Sequence, residues 1–211
     1  MGIVKIIGDK PVVGKFEKVS KETYRKSLLD ISSAKGPQIE KLIDEAYDSI
    51  KLPKRSTIGS AGYDIFLPVP IRLGPADSVL IPTGIKVRMN EGWVFVIAPR
   101  SGLGFKYRLQ IDNTIGIIDS DYYNNPNNEG HILISITNDL KINNCVSMNP
   151  ITNKMEIDES AILSLPAGKA VAQGLFLPFG ITEDDDVSAI REGGLGSTDK
   201  EDKPKSSIIL E

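Results

Sequence analysis

Residues 79–98 read VLIPTGIKVRMNEGWVFVIA and carry the clearest fold signal in the chain. They contain three short runs rich in β-branched and aromatic residues, at 79–82, 85–89 and 93–98, separated by breaks that contain glycine. Short apolar runs between turn residues are typical of β-strands. This stretch therefore predicts three consecutive strands joined by short turns.

The same pattern of short apolar runs continues toward the C-terminus, with further runs at 115–118, 131–137 and 175–179. Many short strands punctuated by Pro and Gly indicate a sandwich or a jelly-roll barrel, and they disfavour a parallel sheet of the Rossmann type. We predict an all-β fold, a jelly-roll or distorted β-barrel.

The first 55 residues follow a different pattern. Apolar residues recur at helical spacing over 37–51, and a weaker helical pattern covers 21–30. We predict an N-terminal extension, residues 1–55, with one or two helices packed as an appendage on a β-domain of residues 56–190.

Two segments interrupt or follow this β-domain. Residues 139–166 are polar and long for a loop in a compact domain, so we expect a hairpin insertion there. Residues 191–211 begin with a Gly-rich stretch and then lack core-forming periodicity, which predicts a flexible C-terminal tail.

Composition narrows the chemistry that 211 residues can carry. The single cysteine, Cys145, excludes an intrachain disulfide and a thiolate metal site and suits the cytoplasm. The single histidine, His131, opens a predicted strand, so we interpret it as structural, and a Ser-His-Asp triad is disfavoured. Catalysis must then use carboxylates, hydroxyls, amides and a loosely held metal.

Charge and hydropathy exclude two classes of partner. The formal charge of −3, from 25 basic and 28 acidic residues, gives no excess of positive charge to bind a nucleic-acid backbone. No apolar run approaches the roughly 20 residues that span a membrane. We expect a small anionic ligand, no nucleic acid and no membrane.

Five polar or Gly-rich segments have little use in a purely structural β-protein, although each alone is also compatible with a turn or linker. They are Ser60-Ala61-Gly62-Tyr63-Asp64-Ile65, Pro99-Arg100-Ser101-Gly102-Leu103-Gly104, Asn113 to Tyr122 with Asp119, Gly168 to Gln173, and Arg191 to Thr198. An Arg, a hydroxyl and backbone N–H groups after a strand suit phosphate oxygens. A carboxylate at a strand end can activate a water near a polyphosphate.

In this order along a β-rich chain, the five segments resemble the homotrimeric deoxyuridine triphosphatase (dUTPase) family over roughly residues 56–198. The resemblance implies a jelly-roll subunit, a homotrimer with active sites shared between subunits, and hydrolysis of dUTP to dUMP and pyrophosphate. It also implies Mg²⁺, held mainly by the substrate phosphates.

The resemblance further implies roles for individual residues. Asp119 matches the general base that activates water for attack on the α-phosphorus, and Tyr122 the aromatic wall under the deoxyribose. Asp64 matches an aspartate that acts near the metal, through water or as a support. Contacts with the substrate phosphates are implied for Arg100, Ser101, Gly102 and Gln173. Contacts with uracil are implied for Asn113 and for the backbone of Gly116, Ile117 and Ile118. A lid over the substrate is implied for Arg191, Leu195, Gly196, Ser197 and Thr198.

The sequence is also compatible with two alternatives. The first is a dCTP deaminase or a bifunctional relative of the same fold, which typically shows Arg-Ser-Ser where this chain has Arg100-Ser101-Gly102. The second is a nucleotide-sensing or protein-binding regulator that uses the N-terminal helices and the 139–166 insertion as its partner surface.

Overall fold

A computed structural model describes residues 6–7, 9–31 and 36–188. Within these ranges, no helix is long and apolar enough to cross a membrane. The described chain is mostly β-structure with three α-helices: α1 (Lys21–Ile31), α2 (Pro37–Ser49) and α3 (Ser101–Tyr107). Short 3-10 helices cover Ser120–Tyr122, Ile142–Asn144 and Glu159–Ala161.

All the strand pairs within the described ranges are antiparallel. The largest sheet has the spatial order β11 (Gly116–Ile118), β9 (Trp93–Pro99), β16 (Ala170–Pro178), β5 (Tyr63–Phe66) and β4 (Lys54–Arg55). A second sheet contains β10 (Leu109–Ile111), β12 (Leu133–Asn138) and β7 (Ser78–Pro82).

The remaining strands form two-stranded pairs. They are β1 (Ile6–Ile7) with β2 (Lys10–Pro11), β3 (Gly14–Lys18) with β8 (Ile85–Met89), β6 (Ile71–Leu73) with β15 (Leu163–Leu165), and β13 (Val146–Met148) with β14 (Met155–Ile157). The β13–β14 pair is a hairpin inside the segment 139–166.

One hydrophobic core joins the helices to the sheets. Tyr24 and Leu28 of α1, and Ile43 of α2, are fully buried in the same cluster as Phe95 and Ile136 of the sheets. The spacing of Tyr24 and Leu28 puts both on one face of α1, and Ile39 and Ile43 share a face of α2 in the same way. The helices therefore complete the core of the β-body.

The predicted strands and helices are present with small shifts at their ends, except that the strand expected at 175–179 begins five residues earlier, at Ala170. The strand expected at 85–89 has those bounds, whereas the one expected at 131–137 begins at Leu133. The helices pack on the β-body through the shared core. One expectation needs correction, because the largest described sheet does not close into a barrel and has β4 and β11 as edge strands.

Candidate active site

Neighbouring strands of the large sheet bring three predicted site residues together. Asp64 lies on β5, Gln173 on β16, and Arg100 directly after the end of β9. Gln173 lies opposite Asp64 on one side and opposite Ala98 on the other. Directly opposed residues point to the same face of a sheet. We call Asp64, Arg100 and Gln173 the phosphate-side group.

Protein contacts fix the guanidinium of Arg100. Its Nε lies 3.1 Å from Oδ1 of Asp64, and its Nη1 donates to the carbonyl oxygen of Ala170 at 3.4 Å. The hydroxyl of Ser56 donates to the other carboxylate oxygen of Asp64 at 3.1 Å. A guanidinium carries five N–H donors, so a fixed Arg100 still has donors for a phosphate group.

Gln173 is held beside this pair. Its Nε2 donates to the carbonyl oxygen of Pro99 at 3.2 Å. A Cβ on Gly62 would stand 2.9 Å from Oε1 of Gln173, so a side chain at this position would displace the amide. The glycine of the first segment is therefore explained by close approach of Gln173.

Ser101 and Gly102 lie exposed in the first turn of α3, directly after Arg100. The first N–H groups of a helix have no partner within the helix, and a Cβ on Gly102 would meet nothing within 4 Å. Open space, a hydroxyl and N–H groups thus lie beside a fixed guanidinium.

A second group of predicted residues surrounds the edge strand β11. Asp119 is half-buried and follows this strand, and its carbonyl oxygen accepts a hydrogen bond from the backbone N–H of Tyr122 at 3.2 Å. Within the described chain, β11 pairs with β9 only. The outer backbone groups of Gly116, Ile117 and Ile118 are therefore not used by a further strand.

The turn before β11 carries Asn113, which is exposed. Asp112 anchors this turn: its carboxylate accepts hydrogen bonds from Ser135 and from Thr137, the latter at 2.5 Å. Thr114 has φ 66°, which is rare for a β-branched residue and costs free energy. The turn is therefore held in a strained conformation next to Asn113.

Tyr122 is buried, with 3% of its surface exposed. Its hydroxyl donates to the carbonyl oxygen of His131 at 3.0 Å and accepts from Nδ2 of Asn128 at 2.8 Å. The ring can therefore contact a ligand only through the small part that stays accessible.

One chain does not bring Asp119 close to the phosphate-side group. Ile118 lies opposite Phe95 near the start of β9, whereas Arg100 follows the end of that strand. At about 3.3 Å per residue, this register puts Asp119 and Arg100 roughly 15 to 20 Å apart along the strand. Within one chain, the two groups of predicted residues therefore lie apart.

The structure also bears on the metal and on the lid. The described ranges contain no group of three or more His, Cys, Asp or Glu side chains that could hold a metal ion. Both oxygens of Asp64 already have protein partners. The predicted lid residues Arg191, Leu195, Gly196, Ser197 and Thr198 lie outside the described residues.

His131 has the surroundings of a structural residue, as the sequence analysis expected. His131 is fully buried, with Nδ1 3.0 Å from the hydroxyl of Ser27, and its Nε2 accepts from the backbone N–H of Gly84 at 2.8 Å. Burial lowers the pKa of His131 to about 4, although the charge of Glu129 opposes this shift. Cys145 is buried and free.

Several residues at the site had no signal in the sequence. Ser56 and Asp112 are ordinary polar residues in turns, and only the fold shows that they support Arg100 and the Asn113 turn. Asn128 lies in a long Asn-rich segment, but the spacing alone did not indicate its contact with Tyr122. These contacts join residues distant in sequence or depend on loop conformation, so periodicity cannot reveal them.

Comparison with known proteins gives a consistent result. The family model for dUTPase matches residues 48–144. The deoxyuridine 5′-triphosphate nucleotidohydrolase of Lactococcus lactis subsp. lactis is 38% identical over 151 residues, which cover 71% of this chain and 88% of the relative. The protein of the same name from Paraburkholderia phymatum is 33% identical over 153 residues, covering 71% and 90%.

Solved structures show the same similarity. The crystal structure of dUTPase from Streptococcus mutans aligns with a TM-score of 0.51 at 35% identity, covering 64% of this chain and 91% of that one. A mutant dUTPase from phage phi11 of S. aureus, described with a structural Mg(II) ion, aligns with a TM-score of 0.50 at 26% identity, covering 67% and 92%.

Proposed function

Because the chain belongs to the dUTPase family, we propose that it hydrolyses dUTP to dUMP and pyrophosphate. The observation that carries this proposal is the fixed Arg100 beside Asp64 and Gln173, on a chain whose Asp119 follows an edge strand. Anion-binding groups and a carboxylate base are the two components that a phosphate hydrolase of this composition needs.

The phosphate-side group binds the triphosphate. Arg100 contributes guanidinium donors, while Ser101 and Gly102 contribute a hydroxyl and backbone N–H groups. Asp64 and Ser56 hold the guanidinium in place, which reduces the entropy lost when the substrate binds. Gln173 offers its amide to a phosphate oxygen from the neighbouring strand.

Asp119 acts as the general base. Its carboxylate orients a water molecule and takes a proton from it as the oxygen attacks the α-phosphorus, and pyrophosphate leaves. A positioned base of this kind contributes about 10²- to 10⁴-fold to the rate.

The edge of β11 recognises the base. Asn113 and the backbone groups of Gly116, Ile117 and Ile118 form hydrogen bonds to the edge of uracil. Cytosine presents a different donor and acceptor pattern, so it would leave polar groups of the site unpaired. The accessible part of Tyr122 borders the deoxyribose and leaves no room for a 2′-hydroxyl.

Mg²⁺ would be held mainly by the phosphate oxygens of the substrate, and it would offset their negative charge. Since both carboxylate oxygens of Asp64 have protein partners, its principal role is to hold Arg100, and any metal contact would pass through water.

The assembly is a homotrimer of jelly-roll subunits in the cytoplasm, with each site completed by neighbouring chains. The wide separation of Asp119 and Arg100 within one chain supports this arrangement, because a second copy must then supply the missing half. Arg191, Leu195, Gly196, Ser197 and Thr198 close the site as a lid over the bound nucleotide.

Pyrophosphate release with Mg²⁺ tests the proposed function. We would offer dUTP, dCTP, dTTP and UTP separately to the purified protein and to its Asp119→Asn variant. Release from dUTP alone, lost in the variant, is the expected result. Ammonia from dCTP would support the deaminase instead, and no reaction with any nucleotide would overturn the proposal.

A further inference from the structure

The segment after Tyr122 has a strained backbone. Asn124 and Glu129 have φ values of 57° and 59°. Left-handed conformations are uncommon for residues other than glycine and persist only where the surroundings hold them. Contacts with the rest of the protein must therefore hold this segment, residues 123–130, in its left-handed conformations.

Glu129 ties this segment to the N-terminal helix. Its carboxylate accepts from the backbone N–H of Ser20 at 3.1 Å, from the hydroxyl of Ser20, and from the hydroxyl of Thr23 at 2.6 Å. Ser20 directly precedes α1, so Glu129 satisfies donors at the start of that helix. Lys86 adds an ion pair with Nζ 3.1 Å from the carboxylate.

These contacts stabilise the ionised form of the Glu129 carboxylate. Burial alone would raise the pKa of Glu129, but the hydrogen bonds from Ser20, Thr23 and Lys86 outweigh it and bring the pKa down to about 2. Glu129 is thus ionised throughout the neutral range, and a neutral amide at this position would lose much of the interaction.

The residues on both sides of Glu129 hold Tyr122. Asn128 donates to the hydroxyl of Tyr122 at 2.8 Å, and a Cβ on Gly130 would clash with the carbonyl oxygen of Tyr122. The backbone N–H of Glu129 donates to the carbonyl oxygen of Asn125. The backbone N–H of Asn125 in turn donates to the carbonyl oxygen of Tyr122. The position of Tyr122 therefore depends on the conformation around Glu129.

A second contact connects the segment to the strand before α1. The hydroxyl of Tyr123 donates to Oε2 of Glu17 on β3 at 2.5 Å, and Lys86 donates to the side chain of Asn124 at 2.7 Å. The N-terminal part of the chain thus contacts both ends of the segment 123–130. Glu17, Ser20 and Thr23 all precede residue 48, where the dUTPase family model begins to match.

We propose that Glu129 is a positioning residue that couples α1 to Tyr122 and thereby sharpens discrimination between dUTP and UTP. This inference rests on the proposed function, in which Tyr122 borders the deoxyribose. The two substrates differ by one hydroxyl, so the site can reject UTP only if the wall beside the sugar stays in place. Release of Glu129 lets the 123–130 segment relax and moves that wall.

Two variants and one control test the coupling. Glu129→Gln removes the charge, and Thr23→Val removes one donor on α1 while keeping the side-chain shape. The control, Glu40→Gln, weakens another contact of the same helix, in which Arg25 donates to Glu40 at 2.6 and 2.9 Å without touching the 123–130 segment.

The first measurement is the ratio of kcat/KM for dUTP to that for UTP. We expect the ratio to fall about tenfold in Glu129→Gln, less in Thr23→Val, and not at all in Glu40→Gln. A purely structural role would lower the amount of folded protein without changing the ratio. An unchanged ratio in both variants would therefore overturn the inference.

Amide hydrogen exchange gives a second readout that needs no activity. The backbone N–H groups of Asn125 and Glu129 should exchange faster in Glu129→Gln and Thr23→Val, while those of Ile134 in β12 keep the wild-type rate. Unchanged exchange would refute the coupling. If the wild type fails to hydrolyse dUTP, the proposed function falls and the selectivity claim with it, whereas exchange still decides whether α1 holds this segment.

Discussion

At the scale of single residues, the ion pair of Asp64 and Arg100 gives the most direct prediction. In Asp64→Asn, the guanidinium loses its fixed partner, so Arg100 has to be ordered by the substrate. We expect the KM for dUTP to rise and kcat/KM to fall about tenfold in steady-state assays. The matched control is Asp139→Asn, which removes the exposed pair with Arg108 and should keep wild-type kinetics. Equal kinetics in the two variants would contradict this role.

His131 supplies a prediction on pH that a single NMR signal can check. The protein has one histidine, so its imidazole resonance is unambiguous. Since burial lowers the pKa to about 4, the resonance should keep its neutral position from pH 8 down to about pH 5.5. A titration centred near pH 6.5, the ordinary value for histidine, would show that the ring is not held as described.

The same residue makes stability depend on pH. In the unfolded chain His131 binds a proton near pH 6.5, whereas the folded protein takes one up only near pH 4. Between these values the unfolded state binds more protons, so acid favours unfolding. The free energy of unfolding should fall by about 2 kcal/mol from pH 7 to pH 5. Urea titrations should show this loss, and His131→Gln should remove most of it.

At the scale of elements, α1 contains an unusual polar group in the core. Tyr24 is fully buried, and its hydroxyl has no hydrogen-bond partner among the described residues. An unsatisfied buried hydroxyl costs about 1 to 3 kcal/mol, so Tyr24→Phe should leave stability unchanged or raise it by about 1 kcal/mol. Tyr24→Ala should instead cost about 3 to 5 kcal/mol through a cavity. Thermal unfolding of the two variants measures both effects, and a clear loss in Tyr24→Phe would mean that the hydroxyl has a partner.

Local sequence signals predicted elements better than they predicted contacts. Strand β8 and the two N-terminal helices follow directly from the spacing of apolar residues, because each pattern is set by one element. Helical periodicity also indicates the apolar face of α1, but it does not show which residues of the sheets cover that face. The contact between Glu129 and Ser20 joins residues far apart in sequence, and neither residue type predicts it.

At the scale of the whole molecule, the strand order places the proposed base, Asp119, far from the proposed phosphate-binding residue, Arg100. The five segments share one chain, yet β9 runs from the Asp119 end to the Arg100 end, and its length keeps the two groups apart. The motifs predicted which residues matter, but only the strand register shows which of them can act together in one copy. An isolated chain should therefore be inactive, and activity should require association.

Mixing two inactive variants tests the central claim, that each chain carries two half-sites which a neighbouring copy completes. Asp119→Asn lacks the base and Arg100→Ala lacks the phosphate-binding side chain, so each alone should release almost no pyrophosphate from dUTP. After subunit exchange in an equal mixture, verified by mass spectrometry, about a quarter of the sites should combine an intact Asp119 with an intact Arg100. We predict that activity reappears in proportion. A mixture that exchanges subunits and stays inactive would contradict the account.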